Sequence, residues 1–417
     1  MPYPAGMAAL PPLPRPAATR LAVRLTPDAL RRVRGGHPWV FAESITSVSR
    51  DGAPGDLAVV FGPDRAFAAI GLWDPASPIR LKVLHHGKPV TVDAAFWASR
   101  IAAARAVRRP LLATGDTTGY RVLNGENDGF PGLVLDAYDR TLVMKLYSAA
   151  WVPHLADLLP AVEAALHPAA VVLRLARQLD PAALHGLEEG DALVGTPPDG
   201  PVLFQERGLW FEADVVHGQK TGHFLDQRDN RVLAGSMAAG ARVLDVFAST
   251  GGFTVHAAAG GATEVVAVDL SEPTLAVAGR NLAHNSARPE VAACRFTPVV
   301  ADAFEELERL GRNGRRFDLV VVDPPSFAQR QQHVARALAA YGRLTELAVR
   351  VVRPGGLLLQ CSCSSRVTAE QFHAEVARAA ARAARPLTEF RRTAHAVDHP
   401  VTFPEGAYLK AVLARVP

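Results

Sequence analysis

The sequence predicts an α/β protein: a parallel sheet wrapped by helices in the C-terminal half, preceded by a small β-rich module and a central α+β segment. Three observations predict it. From about residue 240 onward the apolar pattern alternates between strand and helix periods. From about residue 20 to 90, short alternating runs such as LAVRL, LAVVF, FAAIGLW and IRLKVL are separated by Gly, Pro and Asp turns. Finally, 417 residues exceed what one ordinary core holds, so two or three domains are expected.

In chain order, residues 1–19 are rich in Pro and Ala without the basic start and unbroken apolar stretch of a secretory signal; a disordered tail is expected, with Met7 an alternative start. The β-rich module is placed at 20–90. Residues 91–112 carry apolar positions at helical spacing and read as a linker helix. The central α+β module is placed at 113–210, where GLVLDAYDRTLVMKL reads as two strands about a tight turn and AAWVPHLADLLPAVEAAL as an amphipathic helix. The last module, 211–417, has strands at ARVLDVF, EVVAVDL, TPVVAD, FDLVVVD and LLLQCS. Helices are expected near 272–285, 303–311, 333–352 and 368–384, and an antiparallel hairpin closes the sheet edge.

The first strand of that sheet runs into a glycine turn and a helix, VLDVFASTGGFTVHAAA. Ser249, Thr250, Gly251, Gly252 and Phe253 would let backbone approach a ligand and leave helix amides for a carboxylate. Asp245 stands at the strand's carboxyl end. Asp269, ending the second strand, could accept hydrogen bonds from both ribose hydroxyls, and Asp302, after the third, could receive an adenine amino group. ASTGGF is not the GxGxxG of a dinucleotide cradle, so S-adenosylmethionine is the expected cofactor. The glycines could also merely turn the chain, and Asp302 could merely cap the next helix.

The fourth strand ends in VVVDPPSF and the fifth in LLLQCSCSS, so Asp323 and Cys363 are expected to face one cavity beside the cofactor, with Asp323 also a cofactor contact. Carbon 5 of cytosine is a poor nucleophile, but a thiolate added to carbon 6 makes carbon 5 enamine-like. Asp323 could protonate or hydrogen-bond N3. Similar Asp-Pro-Pro-aromatic turns also serve methylation of exocyclic amines, which needs no cysteine, and Cys363 is what separates the readings. Cys361 is expected to be structural or redox-vulnerable and Cys294 inert; neither a zinc cluster nor a Ser/His/Asp arrangement is visible, so no metal is expected.

Hydrophobic residues at 49% and charged at 21% are globular values, and no apolar run is long enough to span a bilayer, so a soluble, cytoplasmic protein is expected. Three cysteines cannot form a disulfide framework. Net charge is +4, yet residues 1–110 hold 15 Lys and Arg against 7 Asp and Glu, an excess that suits a polyanion-binding module as well as it suits a genome favouring Arg.

Over nearly its whole length the chain resembles the PUA-domain-containing bacterial 23S ribosomal RNA cytosine-5 methyltransferases. The likeness lies in GGHPWVF, GLWDPASPIRLKVL, YRVLNGENDGFPGLVLD, KTGHFLDQRDNR, VLDVFASTGGF, VVVDPPSF, CSCSS and DHPVTFPEGAYLK, in that order. The resemblance implies a PUA β-barrel, a central RNA-binding domain and a class I (Rossmann-like) methyltransferase domain. It implies that Lys220, Phe224, Gln227 and Arg228 border the cofactor pocket and that Cys363 is the catalytic cysteine. Pro324, Pro325, Phe327, Glu126, Asp128, Trp39 and Arg80 are the residues implied to meet RNA, although Trp39 and Trp73 are more often core. The chain departs from the family after DPPSF, where AYGRLTELA carries Gly342 and Arg343. The expected partner is 23S ribosomal RNA, free or in partly assembled subunits, with no membrane; a homodimer is left open. A non-catalytic RNA-binding assembly factor is the reading from another class.

Overall fold

In the computed structural model, which describes residues 11–218, 221–328 and 330–417, the strand and helix alternation of the C-terminal half becomes a seven-stranded sheet. Its strands are β1 (Arg242–Val246), β2 (Glu264–Asp269), β3 (Arg295–Val300), β4 (Phe317–Val322), β5 (Val352–Ser362), β6 (Thr388–Thr393) and β7 (Lys410–Arg415). They lie in the order β3-β2-β1-β4-β5-β7-β6. The first five run parallel, and β7 pairs antiparallel with both β5 and β6, which is the expected closing hairpin.

Central strands read as continuous apolar runs because both faces are covered: Leu319, Val320, Val321 and Val322 of β4 are all buried. Helices α1 (Arg228–Ser236), α2 (Gly252–Ala259), α3 (Glu272–His284), α4 (Ala303–Arg312), α5 (Val334–Val351) and α6 (Ala369–Arg382) supply the cover. On α5, Ala337, Tyr341, Leu344 and Ala348 recur at helical spacing and are buried. The strand order reverses between β1 and β4, where Val246 pairs with Val322. The crevice beyond the carboxyl ends of such a pair is where open α/β sheets hold ligands, and Asp245, opposite Val321, and Asp323, just beyond Val322, stand at its two neighbouring strand ends.

The chain divides into two compact units, and this sheet belongs to the second, formed by Glu206–Glu212, Phe224–Ala396 and Glu405–Pro417. The first, Met1–Gln205 with Ala213–His223 and Val397–Pro404, carries two further sheets. One has six strands in the order Trp39–Phe41, Ile79–His86, Phe67–Trp73, Leu57–Phe61, Leu21–Leu25 and Ile45–Val48. The other has five, in the order Ala192–Gly195, Ala170–Leu175, Thr141–Leu146, Leu133–Tyr138 and Gly119–Asn124. The helix Ala94–Leu112 begins where the Asp93 side chain accepts from the Phe96 amide, and it buries Trp97, Ile101, Ala104, Arg108 and Leu111.

Three features differ from the sequence reading. The β-rich module contains a helix, Pro27–Arg34, capped by Thr26, whose Ala29, Leu30 and Val33 are buried at helical spacing within a stretch too short to stand out. The end of the expected tail is docked on the first unit: Leu13 packs against its core, and the Ala17 amide donates to Asp56 at 2.9 Å; residues 1–10 lie outside the described residues. The boundary near 210 is a double crossing, since Glu206–Glu212 enters the second unit before Ala213–His223 returns to the first.

Candidate active site

The turn after β1 is built by backbone that few residues adopt. Phe247, Ser249 and Gly251 have φ of 67°, 48° and 77°. A Cβ on Gly251 would lie 2.6 Å from the Ala278 Cβ, and one on Gly252 would lie 2.7 Å from the Arg231 Cδ. The Ser249 amide donates to Asp269 Oδ2 at 2.8 Å and the Ser271 amide to Asp269 Oδ1 at 3.0 Å, so the half-buried acid ending β2 also fixes the turn. The Thr250 carbonyl is held by Asn281 Nδ2 at 2.8 Å. Under Gly252, Arg231 makes paired bonds to Glu206 at 2.7 and 2.5 Å, and His256 Nε2 lies 3.0 Å from Glu206. Burial alone would raise the Glu206 pKa, but Arg231 and His256 hold it well below the carboxylate range.

Asp245 is fully buried. Its Oδ2 accepts from Thr254 Oγ1 at 2.7 Å, while Oδ1 has no hydrogen-bond partner, and burial pushes its carboxyl up to about 6. A carboxyl oxygen shielded from water and without a donor fits a ligand that brings a cationic donor, as the ammonium of S-adenosylmethionine would. Asp302 is half-buried and caps α4, its Oδ1 accepting from the amides of Phe304 and Glu305 at 2.9 and 3.2 Å. Phe253, read from sequence as a cofactor contact, packs instead in the apolar cluster with Leu233, Val243 and Leu319, which leaves only its backbone for a ligand.

Beyond β4 and β5 the second part of the site assembles. The Cys363 Sγ lies 3.8 Å from the Pro324 carbonyl oxygen, so the half-buried thiol and the Asp323-Pro324-Pro325 turn share one rim, with Pro325 exposed. Asp323 Oδ1 accepts from Gln227 Nε2 at 2.6 Å; Asn230 Nδ2 donates to Gln227 Oε1 at 2.6 Å, and Thr393 Oγ1 donates to Asn230 Oδ1 at 2.5 Å. This chain of side chains orients Asp323. Cys361, two residues before Cys363, is wholly buried among Leu359, Ala411 and Leu413, and burial pushes its thiol well up. Phe327 packs on Tyr341 with ring centroids 5.1 Å apart. Burial pushes the Tyr341 phenol out of the physiological range, and Ser362 Oγ donates to its oxygen at 2.8 Å.

Of the other expected site residues, Phe224 is half-buried and its carbonyl accepts from Arg231 at 2.8 Å, while Arg228 is fully buried beside Asp229; Lys220 lies outside the described residues. In the first unit, Asp128 is withdrawn from any RNA face: both its oxygens are bound by the wholly buried Arg108, at 2.8 and 2.6 Å. Glu126 accepts from Trp39 Nε1 at 2.9 Å, and Trp39 is half-buried edge-on to Phe403 with centroids 5.0 Å apart. Trp73 is core. Arg80 is half-buried and donates to the Pro75 carbonyl. Sequence reasoning placed Gln227 at the cofactor and missed its bond to Asp323; the only signal was its place in KTGHFLDQRDNR.

Among the described residues there is no group of His, Cys, Asp and Glu able to hold a metal ion, and no helix long and apolar enough to cross a membrane. Residues 189–415 match the family model described as S-adenosylmethionine-dependent methyltransferase, and residues 23–86 match a PUA-like domain. The chain is 47% identical over 408 residues to a ribosomal RNA large subunit methyltransferase of Deinococcus radiodurans, covering 97% of this chain and 99% of that protein. It is 35% identical to ribosomal RNA large subunit methyltransferase I of Shewanella amazonensis, covering 95% and 99%. Among solved structures it is similar in fold to an S-adenosylmethionine-dependent methyltransferase from Streptococcus mutans, at 20% identity, a TM-score of 0.79 and coverage of 95% and 100%. A structure described as a methyltransferase complexed with S-adenosylhomocysteine gives 21% identity, a TM-score of 0.80 and the same coverage.

Proposed function

Because the chain belongs to the family of S-adenosylmethionine-dependent ribosomal RNA large subunit methyltransferases, we propose that it methylates carbon 5 of a cytosine in 23S ribosomal RNA, with Cys363 as nucleophile. The observation that carries this reading is the thiol standing on the rim of the Asp323-Pro324-Pro325 turn, 3.8 Å from the Pro324 carbonyl, beside the strand end that holds Asp245.

Asp245, the turn from Ser249 to Phe253, Asp269 and Asp302 would hold the cofactor, with Phe224, Gln227 and Arg228 bordering it. Bound S-adenosylmethionine supplies an electrophilic methyl sulfonium. Cys363, as thiolate, adds its electron pair to carbon 6 and forms the C–S bond, while Asp323, aimed by Gln227, carries a proton that it donates or hydrogen-bonds to N3, where the electron pair arrives. The enamine-like carbon 5 would then be the group that takes the methyl from bound cofactor, the S–CH3 bond breaking to leave S-adenosylhomocysteine. Loss of the carbon 5 proton to a base returns the electron pair that breaks the C–S bond and frees the thiolate. Attack on carbon 6 comes from above the ring plane, so the cytosine must leave its stack, and fully paired RNA reacts poorly.

Pro325 stands exposed beside Asp323, and that turn alone could hold an exocyclic amino group. Mass spectrometry of nucleosides from RNA methylated by the enzyme separates the two. The cytosine reading predicts 5-methylcytidine; N2-methylguanosine or N6-methyladenosine in its place would overturn it.

A further inference from the structure

Lys410, the first residue of β7, is a buried lysine whose charge no carboxylate answers in its own hydrogen bonds. Only 3% of its surface is exposed, and its Nζ donates to three main-chain carbonyls: Val367 at 2.6 Å, Tyr408 at 3.1 Å, and Ser364. Ser364 follows Cys363, and Val367 ends the loop that Cys363 opens. The antiparallel register sets Lys410 opposite Ser362, the residue before Cys363. Three carbonyl dipoles do not neutralise an ammonium in a dry site; a nearby anion does. Burial pulls the Lys410 ammonium down to about 8, and an ionised Cys363 is the neighbouring charge that works against that loss. Other titratable groups around this corner are Tyr341 on α5, His373 on α6, His395 after β6, Asp323 after β4 and Asp226, which accepts from the Tyr408 hydroxyl. None of them bonds Nζ, whose hydrogen bonds all go to carbonyls: Tyr341 is bonded to Ser362, His395 Nε2 accepts the amides of Tyr408 and Leu409, and Asp323 is bonded to Gln227.

We propose that Lys410 is a positioning residue for Cys363, whose buried ammonium fixes the 364–367 loop and stabilises the thiolate. This rests on the reading of Cys363 as the nucleophile. At pH 7.5 Lys410, held near 8 by burial, is mostly protonated; it acts through its charge and exchanges no proton with the substrate, and the thiol proton leaves to solvent before RNA binds. The same strap reaches the other catalytic group, because Tyr408, whose carbonyl Lys410 holds, donates its hydroxyl to Asp226 at 2.9 Å, next to the Gln227 that aims Asp323.

The test is the pH dependence of Cys363 alkylation by iodoacetamide in the full-length protein, followed by mass of the Cys363 peptide so that Cys294 and Cys361 do not interfere. In the unsubstituted protein the midpoint is expected below the ordinary thiol value of about 8.5. Lys410→Met is expected to raise it by about one unit or more, slowing alkylation at pH 7.5 about tenfold, while Lys410→Arg keeps the lower midpoint. A midpoint at or above the ordinary value in the unsubstituted protein would overturn the inference without any variant, as would an unchanged midpoint in a Lys410→Met protein that still binds S-adenosylhomocysteine. Failure of the nucleophile reading shows separately, as methylation that survives Cys363→Ala whatever the alkylation profile.

Discussion

Replacing Asp245 by Asn should stabilise the cofactor-free protein while removing its grip on the cofactor. In the folded chain the carboxyl titrates at about 6 against an ordinary value of 3.8, because it is wholly buried and hydrogen bonding from Thr254 does not offset the lost water. The folded state therefore holds this proton more tightly than the unfolded state. Its contribution to stability falls as pH rises from about 4 to 6, and the cost is complete above about 7, where two units amount to about 3 kcal/mol. Asn carries no charge but brings an NH2 group facing the place where Asp245 Oδ1 has no partner, at a pH-independent cost of about 1–2 kcal/mol. The net expectation at pH 7.5 is a gain of about 1–2 kcal/mol, and the gap between variant and parent should widen by a similar amount between pH 5 and pH 7.5. Thermal unfolding at the two pH values reads this as a difference of a few degrees. S-adenosylhomocysteine should raise the melting temperature of the parent and leave that of the variant nearly unchanged. A gap that does not move with pH, or an undiminished ligand shift, would refute the argument.

Gln227→Ala should lower kcat by about 10-fold or more, a larger effect than its loss of a border contact has on cofactor affinity, since it frees Asp323 and leaves the glycine turn intact; steady-state kinetics with calorimetry of S-adenosylhomocysteine binding compares the two. Gly251→Ala should abolish cofactor binding, because φ of 77° and a Cβ 2.6 Å from Ala278 force the turn to move. Arg108→Ala should destabilise the first unit by about 3–5 kcal/mol in denaturant unfolding, because it strands Asp128 as a buried, unpaired charge.

The parallel sheet was legible because each of its central strands is buried on both faces and ends in a chemically distinct residue: Asp245, Asp269, Asp323 and, on β5, the cysteines. Periodicity and strand-end chemistry are local, and a sequence carries them directly. Cys363 could be told from Cys361 for the same reason, since LLLQC is apolar strand and SCSS begins the polar loop; Cys361 is wholly buried and Cys363 is not. What stayed hidden depends on long-range partners. Asp128 reads as a polar loop residue until Arg108, 20 positions earlier, is seen bound to it. Gln227 and Asp323 are 96 residues apart, and Lys410 reaches carbonyls 43 and 46 residues away. Phe253 follows two glycines at a ligand turn, yet α2 rotates its ring into the core. The helix Pro27–Arg34 was missed because eight residues bury only three side chains.

The proposed reaction passes through a covalent bond between Cys363 and a pyrimidine. RNA containing 5-fluorocytosine at the target, incubated with enzyme and S-adenosylmethionine, cannot lose the substituent at carbon 5 and should trap that bond. The parent and Cys361→Ala are expected to give a protein–RNA adduct that survives denaturing electrophoresis, and Cys363→Ala none. An adduct formed as readily by Cys363→Ala, or no adduct in the parent while the same preparation methylates unmodified RNA, would contradict it.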